Sequence, residues 1–274
     1  MSADRLAPQR VVLVGCGKMG TALLRGWVAK SAAARFEVVE PAGPPPALAT
    51  EPAVSWHRSP VELPDAVAPE AVVFAVKPQI MPEVAPAYRR WAERESLFVS
   101  IAAGVTIAGL TGWLGEGCLV RAMPNTPAAI GRGITVACAN RRVTAAQRQL
   151  CDGLLGAVGE TAWVEDETLL DAVTAVSGSG PAYVFLLIEA LEAAARAEGL
   201  PAGLAQRLAL ATVTGAAELA RLSDETPAQL RENVTSPGGT TRAALDVLMA
   251  QDGLAPLMRR AVAAAAARSR QLAG

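Results

Sequence analysis

Short apolar runs alternate with amphipathic stretches over the first 165 residues of the chain. The run at 10–14 lies between polar residues and a glycine, and similar runs stand at 36–40, 71–76, 97–101, 118–123 and 134–139. Between several of them, as at 20–30, apolar residues recur at helical spacing. Near-continuous apolar strands that alternate with helices predict a mostly parallel sheet covered on both faces. A run at 161–164 adds a candidate edge strand.

The pattern changes near residue 165, after which helical spacing replaces every strand signal. Helices are predicted over about 166–198, 201–222, 227–233, 238–250 and 254–272. We therefore expect an α/β chain with a Rossmann domain over 1–165 and an all-helical domain over 166–274. The Pro-rich segment 41–46 is no boundary, because about forty residues cannot close half of a Rossmann sheet. Alanine-rich helices pack closely, which suits an intertwined dimer.

Composition and charge limit the classes of partner. Lys and Arg total 25 against 26 Asp and Glu, so nothing in the charge favours nucleic acid. Hydrophobic residues make up 51% of the chain, but the longest apolar runs, 182–188 and 261–267, fall far short of the roughly 20 residues that span a bilayer. The first ten residues show no signal-peptide pattern. We expect a cytoplasmic protein with neither a membrane nor a nucleic-acid partner.

Cysteine and histidine usage speaks against metal chemistry. The four cysteines, at 16, 118, 138 and 151, form no CxxC pair, and the chain has one histidine, so we expect buried reduced thiols and no metal site. His57 follows a weak strand and precedes a proline turn, where an ordinary loop histidine is expected. The chemistry should therefore need no strong protein acid or base.

A glycine-rich turn joins the first predicted strand to the first helix. Its residues are Gly15, Cys16, Gly17, Lys18, Met19 and Gly20. In this strand–turn–helix setting, GxGxxG predicts a nicotinamide dinucleotide whose pyrophosphate lies at the helix N-terminus. Glu40 ends the second strand, where an acid accepts hydrogen bonds from the adenosine ribose and repels a 2′-phosphate. This favours NADH over NADPH, although Arg35 or Arg58 could still receive a phosphate.

Three further strand ends fall at the edge of the sheet where ligands of open α/β folds bind. They contribute Ala75, Val76, Lys77 and Pro78; then Ala102, Ala103 and Gly104; and then Asn125. The first group would contact cofactor ribose or phosphate, and the others would lie near the nicotinamide. A plain strand–turn with a solvated Lys77 and a simple Asx turn at Asn125 remain open alternatives.

Two glycine-containing segments interrupt the helical half. Gly178, Gly180 and Pro181 should break a helix, either for close packing or to shape a pocket. The second segment, 233–241, reads NVTSPGGTT and opens a helix. Its glycines and threonines leave several N–H groups free at the positive end of the helix dipole, which predicts a site for a substrate carboxylate. A simple helix cap is the alternative.

These segments resemble the pyrroline-5-carboxylate reductase family. GCGKMG, AVKPQ, SIAAGVT, RAMPNTPA, DAVTAVSGSGPAYVF and VTSPGGTTRAAL occur in the family's order and cover nearly the whole chain. The resemblance implies a Rossmann domain, a helical domain that forms a homodimer, and higher assemblies such as rings of dimers. It also implies reduction of 1-pyrroline-5-carboxylate to L-proline with NADPH or NADH, the last step of proline biosynthesis.

The resemblance also implies roles for individual residues. Thr241 would hydrogen-bond the ring nitrogen, and the N–H groups of Gly239, Thr240 and Thr241 would hold the carboxylate in a loop shaped by Ser236 and Gly238. Asn233 and Glu167 would lie near the substrate or the nicotinamide. This chain departs from the family's pattern at Lys18, where asparagine is common, and at 56–59, which lacks an asparagine often found before the AVKP strand.

Two other functions fit parts of the sequence. A β-hydroxyacid dehydrogenase would need a catalytic lysine in its second domain, but the lysines stand only at 18, 30 and 77. A catalytically inactive dinucleotide-binding regulator would keep the first glycine turn and lose the second loop, which is intact at 236–241.

Overall fold

The structure is a computed structural model that describes residues 10–64 and 68–272. Contacts divide the chain into two compact units. The first consists of the residues up to Ser179 together with those from Ala265 onward, and the second is Gly180–Ala264. The first unit is therefore discontinuous in sequence.

An eight-stranded sheet in the order β3-β2-β1-β4-β5-β6-β7-β8 organises the first unit. Its strands are β1 Arg10–Val14, β2 Arg35–Val39, β3 Val54–His57, β4 Ala71–Phe74, β5 Leu97–Ser100, β6 Cys118–Met123, β7 Gly133–Ala139 and β8 Gly159–Trp163. Neighbours are parallel except β6 and β7, which are antiparallel. The predicted mostly parallel Rossmann sheet is confirmed, including β8 as an edge strand.

The first unit buries apolar side chains on both faces of this sheet. Its helices are α1 Lys18–Ala29, α2 Met81–Val84, α3 Ile107–Leu114, α4 Ala145–Leu155 and α5 Leu169–Val173. On one face, Trp27 of α1 is fully buried and donates through Nε1 to the Leu154 carbonyl, 2.7 Å away. On the other face, Phe74, Tyr88 and Trp91 form an aromatic cluster. The four cysteines are free and buried, as predicted.

The second unit is built from helices: α6 Gly180–Ala197, α7 Ala202–Leu222, α8 Pro227–Asn233, α9 Thr240–Leu248, and most of α10, which spans Leu254–Leu272. Helices α6 and α7 pack against each other. Gly199, with φ +88°, allows the sharp turn between them. In the described residues no strand follows Trp163, so the predicted change to helices is confirmed. The domain boundary at 165 itself stays a prediction.

Large apolar side chains of α6 and α7 remain exposed. Phe185, Leu186 and Leu187 are each more than half exposed, and Leu219 and Leu222 of α7 are as well. The helical run Leu169–Ala197 is long and apolar enough, by length and composition alone, to cross a membrane. A helix whose apolar face packs on a second protein chain has the same properties, so this finding does not by itself indicate a membrane.

Candidate active site

A cleft of about 570 Å³ opens at the carboxyl ends of β1, β2, β3 and β4. Since β1 pairs with β2 on one side and β4 on the other, the cleft lies where the strand order reverses, the usual ligand position of open α/β sheets. Six residues predicted to bind the cofactor line it: Gly15, Gly17, Glu40, Ala75, Val76 and Lys77. The strand-end residues of the first half of the sheet therefore converge on one site.

Each of the three glycines in the turn has a different structural role. Gly15 has φ +88°, and a Cβ there would lie 2.7 Å from Cγ1 of Val76. A Cβ on Gly20 would overlap the Gly15 carbonyl, so Gly20 lets the helix approach the strand. At Gly17 nothing lies within 4 Å of the Cβ position, which leaves the turn open on the cleft side. The backbone thus forms an open cradle that fits a pyrophosphate.

The N-terminus of α1 has the electrostatics of an anion site. Its N-cap, Gly17, supplies no side-chain hydrogen bond, and the first turn carries no acidic residue. The positive end of the helix dipole is therefore available to a ligand. Lys18 is exposed and Met19 is half-buried at the start of the helix. Burial raises the pKa of the Cys16 thiol, although the hydrogen bond with Thr21 acts in the opposite direction. The thiol therefore stays protonated, and the turn adds no negative charge of its own.

Glu40 closes the other side of the turn. Its carboxylate accepts hydrogen bonds from the Cys16 N–H at 2.7 Å and the Ala42 N–H at 3.1 Å. Arg58 and Ser59, which follow β3, line the same cleft. A negative and a positive side chain therefore line the same cleft, and their contacts with a ribose or a 2′-phosphate stay predictions. Lys77 is exposed. Pro78 is the first residue of a short 3₁₀ turn that follows β4 along the chain.

The strand ends beyond β4 do not line this cleft. Ala102 is buried and Ala103 is half-buried after β5. Gly104 has φ +77°, and a Cβ there would lie 3.0 Å from the Leu272 carbonyl, so the close approach it permits is to the last helix. Asn125 Oδ1 accepts the Ile134 N–H at 2.9 Å and fixes the start of β7. Their contacts with a nicotinamide stay predictions.

Glu167 takes part in a partly buried ionic contact. Its Oε1 accepts from Nη1 of Arg121 at 3.0 Å and from the Ile107 N–H at 2.8 Å. The carboxylate therefore joins β6, the start of α3 and the segment before α5. Arg121 is buried, and sequence reasoning gave it no role. The sequence does contain an indication of this pair, because an arginine within an apolar strand is buried and a buried charge is normally paired.

The glycine segment before α6 interrupts the α-helical hydrogen-bonding pattern but does not break the helical run Leu169–Ala197, so the predicted break is wrong. Residues Thr174–Gly178 form a π-helical turn, and a Cβ on Gly178 would lie 2.5 Å from Cε of Met123. The absence of a side chain at Gly178 therefore allows close packing on the end of β6. Nearby, the buried Ser269 hydroxyl donates to Asp171 Oδ1 at 2.6 Å, a contact that the sequence did not predict.

The prediction of a loop position for His57 is wrong. His57 is the last residue of β3, and its Nε2 lies 2.8 Å from Oε2 of the buried Glu37 on β2. Arg10 Nε lies 3.6 Å from the same carboxylate. The half-buried strand provides a polar partner that the local sequence pattern did not indicate, and this pair explains the histidine structurally.

In the second unit, the loop before α9 contains Gly238 and Gly239, two of the residues predicted to bind substrate. Gly238 has φ +69°, and Gly239 is the N-cap of α9. The Gly239 N–H donates to the Ser236 carbonyl at 3.0 Å and closes the turn, and its use in carboxylate binding stays a prediction. The N–H groups of Thr240, Thr241 and Arg242 have no acceptor in the part of the chain that the structure describes. The free donors therefore begin one residue later.

Asn233, at the end of α8, is held by an acidic side chain. Its Nδ2 lies 3.0 and 3.1 Å from the two carboxylate oxygens of Glu225. The amide is thereby fixed in orientation, and it is exposed. No side-chain cap occupies the N-terminus of α9, and its first turn has no acidic residue. The loop therefore has the donors and the charge environment of a carboxylate site.

Comparisons with known proteins agree with both halves. Residues 167–272 match the family model described as pyrroline-5-carboxylate reductase dimerisation, and residues 10–104 match the model described as NADP oxidoreductase, coenzyme F420-dependent. The pyrroline-5-carboxylate reductase of Pseudomonas aeruginosa is 43% identical over 98% of each chain.

Solved structures of such reductases have the same fold. The one from Coxiella burnetii is 34% identical with a TM-score of 0.88, over 96% of this chain and 98% of that one. The Plasmodium falciparum structure, with NADP bound, is 29% identical with a TM-score of 0.82, over 98% and 100%. With its motifs, its sheet and a relative matched along almost the whole length, this chain belongs to the pyrroline-5-carboxylate reductase family.

Proposed function

We propose that this protein reduces 1-pyrroline-5-carboxylate to L-proline, the last step of proline biosynthesis, with a nicotinamide dinucleotide as the reductant. The observation that carries the proposal is the set of free N–H groups at the start of α9, in a chain that also has a dinucleotide cradle. The substrate combines a carboxylate with a cyclic imine. These two features require an anion site and a hydride donor, respectively.

The carboxylate would bind the N–H groups of Thr240, Thr241 and Arg242. They lie at the positive end of the α9 dipole, where an anion is stabilised without a lysine. The left-handed Gly238 and the turn from Ser236 to Gly239 give the loop the shape that presents these donors. Ser236 therefore acts through the loop, and Asn233 borders it.

The reduced nicotinamide, when bound, supplies the hydride. A protonated imine accepts hydride readily, so the protein mainly positions the ring and holds its nitrogen. The Thr241 hydroxyl can donate to that nitrogen or accept from it, and it can relay a proton from water to the product amine. No histidine is needed. Glu167 acts by fixing α3 against β6 through Arg121 and Ile107.

The turn from Gly15 to Gly20 and the residues from Ala75 to Pro78 would hold the dinucleotide, with Ala102, Ala103, Gly104 and Asn125 near its nicotinamide. Glu40 would accept hydrogen bonds from the adenosine ribose, which favours NADH over NADPH. The Arg58 side chain in the same cleft is the competing group, because it would attract a 2′-phosphate. Lys18 adds a further positive charge beside the pyrophosphate.

The exposed apolar faces of α6 and α7 would be covered by a second copy of the chain. The match of residues 167–272 to a dimerisation model supports this assignment. We propose a homodimer formed through the helical domain, assembled further into a ring of dimers, in the cytoplasm and without a membrane or nucleic-acid partner. Light scattering tests the assembly: a monomer at micromolar concentration contradicts the dimer.

The activity is tested by adding 1-pyrroline-5-carboxylate to the protein with NADH and, separately, with NADPH. We expect oxidation of the dinucleotide and formation of an equal amount of proline. Side-by-side values of kcat/KM give the cofactor preference. A folded protein that binds a dinucleotide but forms no proline with either cofactor would instead be the inactive regulator.

A further inference from the structure

The cofactor cleft is bordered at its adenosine end by the residues that follow β3, the outer strand of the sheet. In a Rossmann fold the pyrophosphate lies at the glycine turn, and the acid that ends the second strand faces the adenosine ribose. Glu40 directly follows β2, and Arg58 and Ser59, which follow β3, line the same cleft. Among the described strands β3 pairs only with β2, so the position of this wall depends on how the end of β3 is attached to β2.

His57, the last residue of β3, makes two such attachments. Its carbonyl accepts the Glu40 N–H at 2.9 Å, and its Nε2 lies 2.8 Å from Oε2 of Glu37 on β2. Since a carboxylate accepts hydrogen bonds, Nε2 is the donor of the second bond. His57 does not line the cleft itself, so it acts on the cleft through the residues beside it.

Glu37 fixes the orientation of the histidine because its carboxylate is buried. The residue is 5% exposed, and a buried charge is normally paired. Nε of Arg10 lies 3.6 Å from Oε1, while His57 bonds to Oε2, so each carboxylate oxygen has its own partner. Hydride transfer uses none of these three groups.

Arg58 follows this anchor directly. Its backbone N–H donates to Oε2 of Glu62 at 2.8 Å, so hydrogen bonds hold the chain on both sides of its Cα. Within the residues that the structure describes, the Arg58 guanidinium has no hydrogen bond or ion pair, and the residue is exposed. The guanidinium is therefore available to an anion in the cleft.

We propose that His57 is a positioning residue for cofactor specificity: its hydrogen bond to Glu37 holds Arg58 where the guanidinium binds a 2′-phosphate on the adenosine ribose. A guanidinium binds phosphate through charge-assisted hydrogen bonds, which require a defined geometry. The choice between NADH and NADPH then depends on Glu40, on Arg58, and on a histidine that touches neither cofactor. The inference rests on the proposed function only in taking a dinucleotide as the ligand.

The test measures binding of two fragments, AMP and 2′,5′-ADP, by calorimetry without any turnover. They differ only in the 2′-phosphate, so the ratio of their affinities reports the contact with that group. His57→Leu should weaken 2′,5′-ADP binding relative to AMP by about 3- to 10-fold, because a charge-assisted hydrogen bond is weakened. His57→Gln places an amide donor near the position of Nε2 and should keep the wild-type ratio.

A second variant separates positioning from stability. His57→Leu leaves the Glu37 carboxylate buried with one partner fewer, which destabilises the fold. The double variant Glu37→Leu/His57→Leu removes the buried carboxylate as well, and apolar replacement of a buried pair is often neutral or stabilising. It should show the same shift in affinity ratio as His57→Leu. A purely structural role would instead restore the wild-type ratio together with the stability.

Trp163→Phe is the matched control. Trp163 is the last residue of β8, the opposite outer strand, and its Nε1 donates to Oδ1 of Asp152 at 2.7 Å. Neither residue lines the cofactor cleft. The variant loses one hydrogen bond to a carboxylate at the other edge of the same sheet, so it should melt at a lower temperature and keep the wild-type ratio.

An unchanged affinity ratio in His57→Leu or in the double variant overturns the proposal. So does an equal shift in His57→Gln or in Trp163→Phe, because the ratio would then not depend on the bond to Glu37. A wild-type protein that binds both fragments but forms no proline would contradict the proposed reaction and leave this inference standing.

Discussion

Replacing Glu167 by alanine removes a carboxylate that two groups of the first unit share. The Arg121 guanidinium and the Ile107 N–H both donate to its Oε1. Arg121 is only 5% exposed, and removing one partner of a buried ion pair costs about 3–5 kcal/mol. The Glu167 side chain is 27% exposed, so water can partly solvate the remaining charge, and we expect a loss of about 2–3 kcal/mol.

Glu167→Gln is the matched variant, because its amide oxygen still accepts from both donors. It loses only the charge, and we expect a cost of about 1 kcal/mol. Urea unfolding at one fixed protein concentration measures both values. If Glu167 acts by positioning, kcat/KM of Glu167→Gln should stay within about threefold of wild type. Equal destabilisation by the two variants would refute this account, and so would a large loss of turnover in a stable Glu167→Gln protein.

Three further predictions concern the cradle, the cofactor preference and the substrate nitrogen. Gly15→Ala should weaken dinucleotide binding at least tenfold, because it adds about 1–2 kcal/mol of backbone strain and a clash with Val76. Gly43→Ala has the same strain at φ +83° with open space around it, and a fluorescence titration should show unchanged affinity. Glu40→Ser should shift the ratio of kcat/KM toward NADPH; an unchanged ratio would argue against a ribose contact. Thr241→Ala should lower kcat by about 100-fold with little change in dinucleotide affinity, whereas Thr241→Ser should retain most activity; wild-type turnover in Thr241→Ala would assign the role to another group.

Features with a local cause could be predicted from the sequence. The strand at 118–123 is bounded as predicted, because its apolar run ends at a proline that cannot extend the ladder. The helices at 227–233 and 254–272 are likewise confirmed at both ends. The glycine turn was recognisable because Gly15 and Gly20 each meet a steric requirement of the backbone itself.

Features that depend on distant residues could not be predicted. Arg121 and Glu167 are 46 positions apart, and only the fold brings them together. The antiparallel direction of β7 leaves no trace in the apolar pattern, since a strand reads alike in both directions. At Gly239, the choice between donating to a ligand and donating to Ser236 depends on a backbone turn that composition does not specify.

The discontinuity of the first unit has a consequence for biosynthesis. Residues 180–264 are translated before the segment that returns to the first unit, which carries Ser269 and places Leu272, the last residue of α10, beside Gly104. Domains fold as they leave the ribosome, N-terminal parts first. The hydrogen bond between Ser269 and Asp171 can therefore form only after the helical half has been translated. Proteolytic removal of the last turn of α10 would remove the Leu272 backbone that packs on Gly104, a residue in the half of the protein that is translated first.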